Sequence, residues 1–133
     1  QAAEKVVGDI VAAGGRAVAV KADIAKPDEI AGLFDASKKA FGQLDILVNN
    51  AGIYDLTPIG SITAEAFHRH FDLNVLGLIL ASQEAVKHFG PGGGTIVNIS
   101  SVVAQLAPPG VAVYNATKGA VDSLTRSFAR ELA

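Results

Sequence analysis

The chain has 133 residues, a formal net charge of −2, and is 50% hydrophobic with only 18% charged residues. That composition excludes intrinsic disorder, whose signature is the reverse. Eleven Lys and Arg are spread among thirteen Asp and Glu, and the pI is near 5.9, so no basic stripe for nucleic acid is present. There is no Cys, hence no disulfide, thiolate nucleophile or cysteine metal site. No apolar run approaches the roughly 18 residues of a membrane span, and no signal-peptide pattern opens the chain. The expectation is a cytoplasmic protein that binds neither membrane nor nucleic acid. Met is also absent, and the sequence begins at Gln1.

Residues 1–13 carry Val6, Val7, Ile10 and Val11 at helical spacing, and Gly14-Gly15 stops that helix. Arg16 to Ala22 reads as a short strand with Val18 and Val20. Pro27 suits a first helical turn, followed by Asp28 and Glu29, and the face Ile30, Leu33, Phe34, Ser37, Phe41 runs to Gly42. Leu44 to Asn49 contains the unbroken apolar run Ile46-Leu47-Val48, which fits a parallel strand buried on both faces. Residues 53–62 hold Pro58 and Gly60 and read as a loop. Thr63 is an N-cap for a long helix to about Phe89, Gly90 to Gly94 is a turn, and Thr95 to Ser100 is a further strand. After the Pro108-Pro109-Gly110 loop, Val113 to Leu132 is a final helix with Val121, Leu124, Phe128 and Leu132 on one face. Alternating strand and helix predicts an α/β fold with a parallel sheet.

A phosphate-binding glycine loop follows a strand and opens a helix. Gly14-Gly15 and Gly92-Gly93-Gly94 each precede a strand, so they read as turns and caps. In an open parallel sheet, ligands bind beyond the carboxyl ends of the strands. The first apolar strand ends in Asn49-Asn50-Ala51-Gly52, where small residues allow close approach and Asn amides can brace neighbouring loops; a plain turn is the alternative. Asp23, after the first strand, either accepts from an adenine amino group or caps a turn.

The Thr95 strand ends in Ser100-Ser101; twelve residues separate Ser101 from Tyr114, and three separate Tyr114 from Lys118. Tyr114 and Lys118 therefore share one helix face. A tyrosine phenol ordinarily titrates near pH 10, and a nearby ammonium favours the phenolate, so the pair is suited to proton transfer with an alcohol or alkoxide. Ser101 can hydrogen-bond the same oxygen. The plainer alternative is an amphipathic helix with an exposed Lys. Asn74 lies inside the long helix among apolar neighbours, where its amide must find partners, and Gly77 weakens the same turn; a kinked helix holding a water is one reading, the capping of a bend another. His68 and His70 are two apart, face different sides of the helix, and read as surface residues rather than metal ligands.

Taken together, Asp23, Asn49-Asn50-Ala51-Gly52, Asn74, Ser101, Tyr114 and Lys118 occur in an order that resembles the short-chain dehydrogenase/reductase family in its compact form, with the flavour of 3-oxoacyl-carrier-protein reductases and glucose dehydrogenases. The resemblance covers nearly the whole chain. It implies a doubly wound Rossmann-type parallel sheet and hydride transfer between a nicotinamide, NAD or NADP, and a secondary alcohol or ketone. It also implies Tyr114 as acid/base and, with Lys118, a cofactor-binding residue, Lys118 as the group that tunes it and holds the nicotinamide ribose, and Ser101 as the polariser of the substrate carbonyl. Asn74 would hold a relay water. Asp23 and Ile24 would contact adenine, and Asn50, Ala51 and Gly52 would line the cofactor groove.

Against the family pattern, the first two strands, their glycine-rich turn and the C-terminal strands are not represented. The expectation is an internal part of a longer single-domain dehydrogenase, with residues 1–133 a partial dinucleotide-binding and catalytic domain; the alternative is a catalytically silent chain that serves assembly. Family relatives pack the equivalents of the last two long helices into a dimer or tetramer, and small residues Ala81, Ser82, Ala85, Ala120 and Ala129 would allow the approach. Tyr54, Leu56, Val103, Gln105 and Leu106 are candidates for the pocket rim.

Overall fold

A computed structural model describes residues 1–133. The chain runs α1 (Ala2–Ala12), α2 (Pro27–Phe41), β1 (Ile46–Asn49), α3 (Ala64–Phe71), a π-helical turn (Asp72–Leu76), α4 (Gly77–His88), β2 (Thr95–Asn98), α5 (Val103–Leu106) and α6 (Ala112–Glu131). β1 and β2 pair in parallel, with Ile46 opposite Thr95 and Asn49 opposite Asn98. The fold is thus α/β with a parallel sheet. No helix is long and apolar enough to cross a membrane.

The sequence signals act as their chemistry requires. Pro27 opens α2, whose C-terminal Gly42 takes φ +87°, a conformation that favours glycine. Thr63 caps α3 by accepting from the Ala66 N–H. The core lies between α2, α4 and one face of the sheet: Ile30, Phe34, Ala81 and Ala85 are buried, with Leu44, Leu47, Leu80 and Phe89 packed around them.

The structure corrects five expectations. Arg16 to Ala22 forms no strand, because a parallel strand exists only against a neighbour and no other segment runs beside it; Val18 and Val20 stay exposed. β1 is covered on one face only, with Ile46 60% and Val48 54% exposed. The expected long helix is interrupted by the π turn, which contains Asn74. Ala81, Ser82 and Ala85 face the interior of the chain rather than a partner surface. His70 is completely buried, unlike His68. The structure also has a short helix, α5, where the sequence predicted only loop.

Gly77 fixes how α4 meets the chain's earlier half. A Cβ there would lie 2.7 Å from the Ile24 carbonyl oxygen and 3.1 Å from the Ile24 side chain. The neighbour is backbone and cannot step aside cheaply. Gly77→Ala is therefore expected to destabilise the protein at its natural length by about 1–3 kcal/mol, read as a lower urea midpoint at unchanged m-value.

Candidate active site

The carboxyl ends of β1 and β2 are braced by amides. Asn49 Nδ2 donates to Asn98 Oδ1 at 2.8 Å and to Ser82 Oγ at 3.1 Å, tying both strands to α4. Asn98 Nδ2 donates to Thr125 Oγ1 at 2.9 Å, which adds α6. Asn49 is therefore a brace, while Asn50, Ala51 and Gly52 lie open to solvent beyond the strand end.

Asn74 answers the problem its position poses. Its amide is 2% exposed, yet Oδ1 accepts from the Ile53 N–H at 2.8 Å, and Nδ2 donates to the Ile53 carbonyl at 2.9 Å and to Thr117 Oγ1 at 3.1 Å. The π turn widens the helix locally and lets a side chain from its interior reach a loop. Thr117 is fully buried and in turn donates to the Tyr114 carbonyl at 2.7 Å. Asn74→Ala leaves several buried polar groups unpaired at once. The expected cost is about 2–4 kcal/mol in urea unfolding, and Asn74→Asp is expected to recover little of it, because the Ile53 N–H keeps an acceptor while the second carboxylate oxygen faces the Ile53 carbonyl.

Lys118 and Tyr114 share the first part of α6. The Lys118 ammonium donates to the Ile99 carbonyl just past β2 at 2.8 Å and lies 5.7 Å from the centre of the Tyr114 ring. Lys118 is only 6% exposed, and burial holds its pKa below the ordinary lysine value, with Asp122 opposing. The Ser100 hydroxyl donates to the Lys118 carbonyl at 3.4 Å. Ser101, at the entry to α5, is partly exposed and accepts a long 3.4 Å contact from the Val103 N–H. Tyr114 is partly exposed, and the Tyr54 ring meets it edge-on at 5.0 Å and 87°.

Gly52 brings the two halves of the site together. A Cβ at Gly52 would sit 3.3 Å from Asn74 Oδ1 and 3.8 Å from Lys118 Nζ. The open backbone of 50–52, the buried ammonium and the partly exposed phenol thus converge beyond the sheet. The ammonium gives one hydrogen bond to protein, leaving N–H donors for a further acceptor. This donor set fits a pair of vicinal hydroxyls such as those of a ribose.

Asp23 and Ile24 have structural partners of their own. Asp23 Oδ1 accepts from the Ala25 N–H at 3.0 Å, closing an Asx turn, and the Asp23 N–H donates to Glu29 at 2.7 Å. Lys26 reaches Glu29 at 3.0 Å and Asp23 at 3.5 Å; the hydrogen bond from the Asp23 N–H holds the Glu29 carboxyl below its ordinary range, and the Glu29 bond raises Lys26. Ile24 packs against the core and abuts Gly77. Sequence reasoning missed Thr117 and the Ile99 carbonyl. Thr117 carried a faint signal, a hydroxyl within an otherwise regular helix that can bond back one turn. The Ile99 carbonyl carried none.

The chain matches the family model for short chain dehydrogenases over residues 1–133. It belongs to the short-chain dehydrogenase/reductase family. It is 49% identical over 131 residues to an uncharacterised oxidoreductase of Methylorubrum extorquens, covering 98% of this chain and 52% of that protein. A short chain dehydrogenase of Claviceps purpurea is 37% identical, with 98% of this chain and 50% of that protein covered. Among solved structures, a Burkholderia cenocepacia short chain dehydrogenase in complex with NADP superposes with a TM-score of 0.91 at 40% identity, over 97% of this chain and 53% of that one. A Sinorhizobium meliloti dehydrogenase/reductase reaches a TM-score of 0.92 at 39% identity, over 97% and 51%. The fold is accordingly that of the Rossmann-type dehydrogenases, and the chain spans about half the length of the relatives it matches.

Proposed function

We propose that the protein is an oxidoreductase that transfers a hydride between a nicotinamide cofactor, NAD or NADP, and a secondary alcohol or ketone, with residues 1–133 as part of a single dinucleotide-binding and catalytic domain. The observation that carries this reading is the placement of the buried Lys118 ammonium 5.7 Å from the Tyr114 ring, with Gly52 and Asn74 at its other side. The Burkholderia cenocepacia relative's complex with NADP supports the choice of cofactor class.

A bound nicotinamide supplies the hydride donor or acceptor. Lys118 would hold ribose hydroxyls through its free N–H donors, Asn50, Ala51 and Gly52 would line the cofactor groove, and Asp23 and Ile24 would contact adenine. Ser101 donates to the substrate carbonyl oxygen and fixes its direction. Tyr114 gives its phenolic proton to that oxygen as negative charge develops there, and takes it back in the alcohol-oxidising direction. The Lys118 ammonium stabilises the phenolate left behind. Both Nδ2 donors of Asn74 are used within the protein, so a relay water beside it would be held by a carbonyl or by the second lone pair of Oδ1. Titration followed by nicotinamide fluorescence tests the reading: saturable enhancement with NADH or NADPH supports it. No saturable signal with either would favour the catalytically silent chain.

A further inference from the structure

Residues 53–57 belong to no helix or strand, yet their exposure alternates with a period of two. Ile53, Asp55 and Thr57 turn inward, while Tyr54 and Leu56 turn outward, 56% and 70% exposed. Each inward residue is tied to a different part of the chain. Ile53 is bonded through both backbone groups to Asn74. Asp55 accepts from Arg69 Nη2 at 2.5 Å and faces His70 Nε2 at 3.7 Å. The Thr57 N–H donates to the Gly110 carbonyl at 2.7 Å. His70 is completely buried, its Nδ1 is 2.7 Å from the Ala66 carbonyl, and its Nε2 has no hydrogen-bond partner, so its second nitrogen is directed at this strap without serving the helix.

Three ties in five residues hold the strap in one place, and what it presents is apolar surface. Tyr54 lies against Tyr114, edge-on at 5.0 Å, with over half of its surface free. We propose that Tyr54, with Leu56, is the specificity-determining wall of the substrate site, that it selects ketones whose carbonyl is attached to a flat, conjugated ring, and that Asp55 is a positioning residue that aims it. The inference rests on the reading of Tyr114 as the acid/base. A π-face offered to a flat ring gains from offset or edge contact, and a saturated ring of the same size lacks that gain.

The test compares kcat/KM for acetophenone with that for cyclohexyl methyl ketone, the same carbon skeleton flat and puckered, in the protein at its natural length. The intrinsic reactivities of the two ketones cancel when the flat-to-puckered ratio of a variant is divided by that of the wild type. Tyr54→Ala is expected to lower the ratio about threefold to tenfold, chiefly through KM. Tyr54→Phe is expected to leave it within about twofold of wild type, and Asp55→Asn to move it in the same direction as Tyr54→Ala, with nicotinamide affinity unchanged in all three. An unchanged ratio in Tyr54→Ala, or an equal fall in Tyr54→Phe, overturns the aromatic wall. An unchanged ratio in Asp55→Asn overturns the positioning role. A wild type that binds nicotinamide but reduces neither ketone overturns the substrate class alone; one that binds no nicotinamide overturns the reading of the Tyr114 site as well.

Discussion

Replacing Tyr114 by Phe is expected to lower kcat about 10²- to 10⁴-fold, the range over which a positioned acid or base contributes. The loss arises because the ring stays while the proton leaves the site. The edge contact with Tyr54 and the proximity of Lys118 involve the ring, so the fold has little to lose. The variant should match the wild type in urea unfolding to within about 0.5 kcal/mol, and it should bind nicotinamide with nearly the same affinity, since Lys118 and residues 50–52 are untouched. Steady-state kinetics with a fluorescence titration on the same preparation checks both halves. A Phe variant with near wild-type kcat would remove Tyr114 from the chemistry.

Lys118→Met separates function from stability in a second way. Met keeps an unbranched apolar stem in the same place but removes the charge. The variant is expected to lose about 10²- to 10³-fold in kcat/KM, with weaker nicotinamide binding, since one group both orients the ribose and stabilises the phenolate. Its thermal midpoint is expected to equal or exceed that of the wild type. Burial disfavours the ammonium and its single protein bond, to the Ile99 carbonyl, repays only part of that. The sign of the pH dependence follows from the same cause. A lysine whose pKa is depressed by folding binds fewer protons in the folded than in the unfolded chain between the depressed and the ordinary value. Its contribution to stability therefore rises with pH through that window, and it is least favourable below it. Lys118→Met abolishes this rise, which paired urea titrations at neutral and alkaline pH measure. A Met variant that is strongly destabilised at neutral pH would show Lys118 to be a structural cation.

The local helical signals were legible because they depend on neighbours in sequence. Pro27, Thr63 and the apolar face of residues 30–41 act within a few residues of themselves, and the helices began and ended close to where those residues placed them. The strand expected at residues 16–22 depended on a partner, which no residue in the segment encodes. The π turn was legible only as a misfit: Asn74 sat where an amide cannot be left alone, and the structure resolves this through Ile53 and Thr117, far apart in the sequence. His70 shows the opposite failure. Two residues from His68, it looked like a surface group, yet Asp55 and the Ala66 carbonyl give it an interior place that helical periodicity alone does not mark. The spacing of Ser101, Tyr114 and Lys118 pointed to the pair that the helix aligns, whereas the burial that perturbs Lys118 comes from packing.

Transfer of isotope tests the central claim most directly. The wild-type protein is incubated with a prochiral ketone and nicotinamide deuterated at the transferable C4 position, in unlabelled water, and the product alcohol is analysed by mass spectrometry and NMR. One deuterium on the carbinol carbon is the predicted result, with little or no labelled alcohol formed by Tyr114→Phe under the same conditions and time. An alcohol whose carbinol hydrogen comes from water, or equal deuterium transfer by the Phe variant, would contradict it.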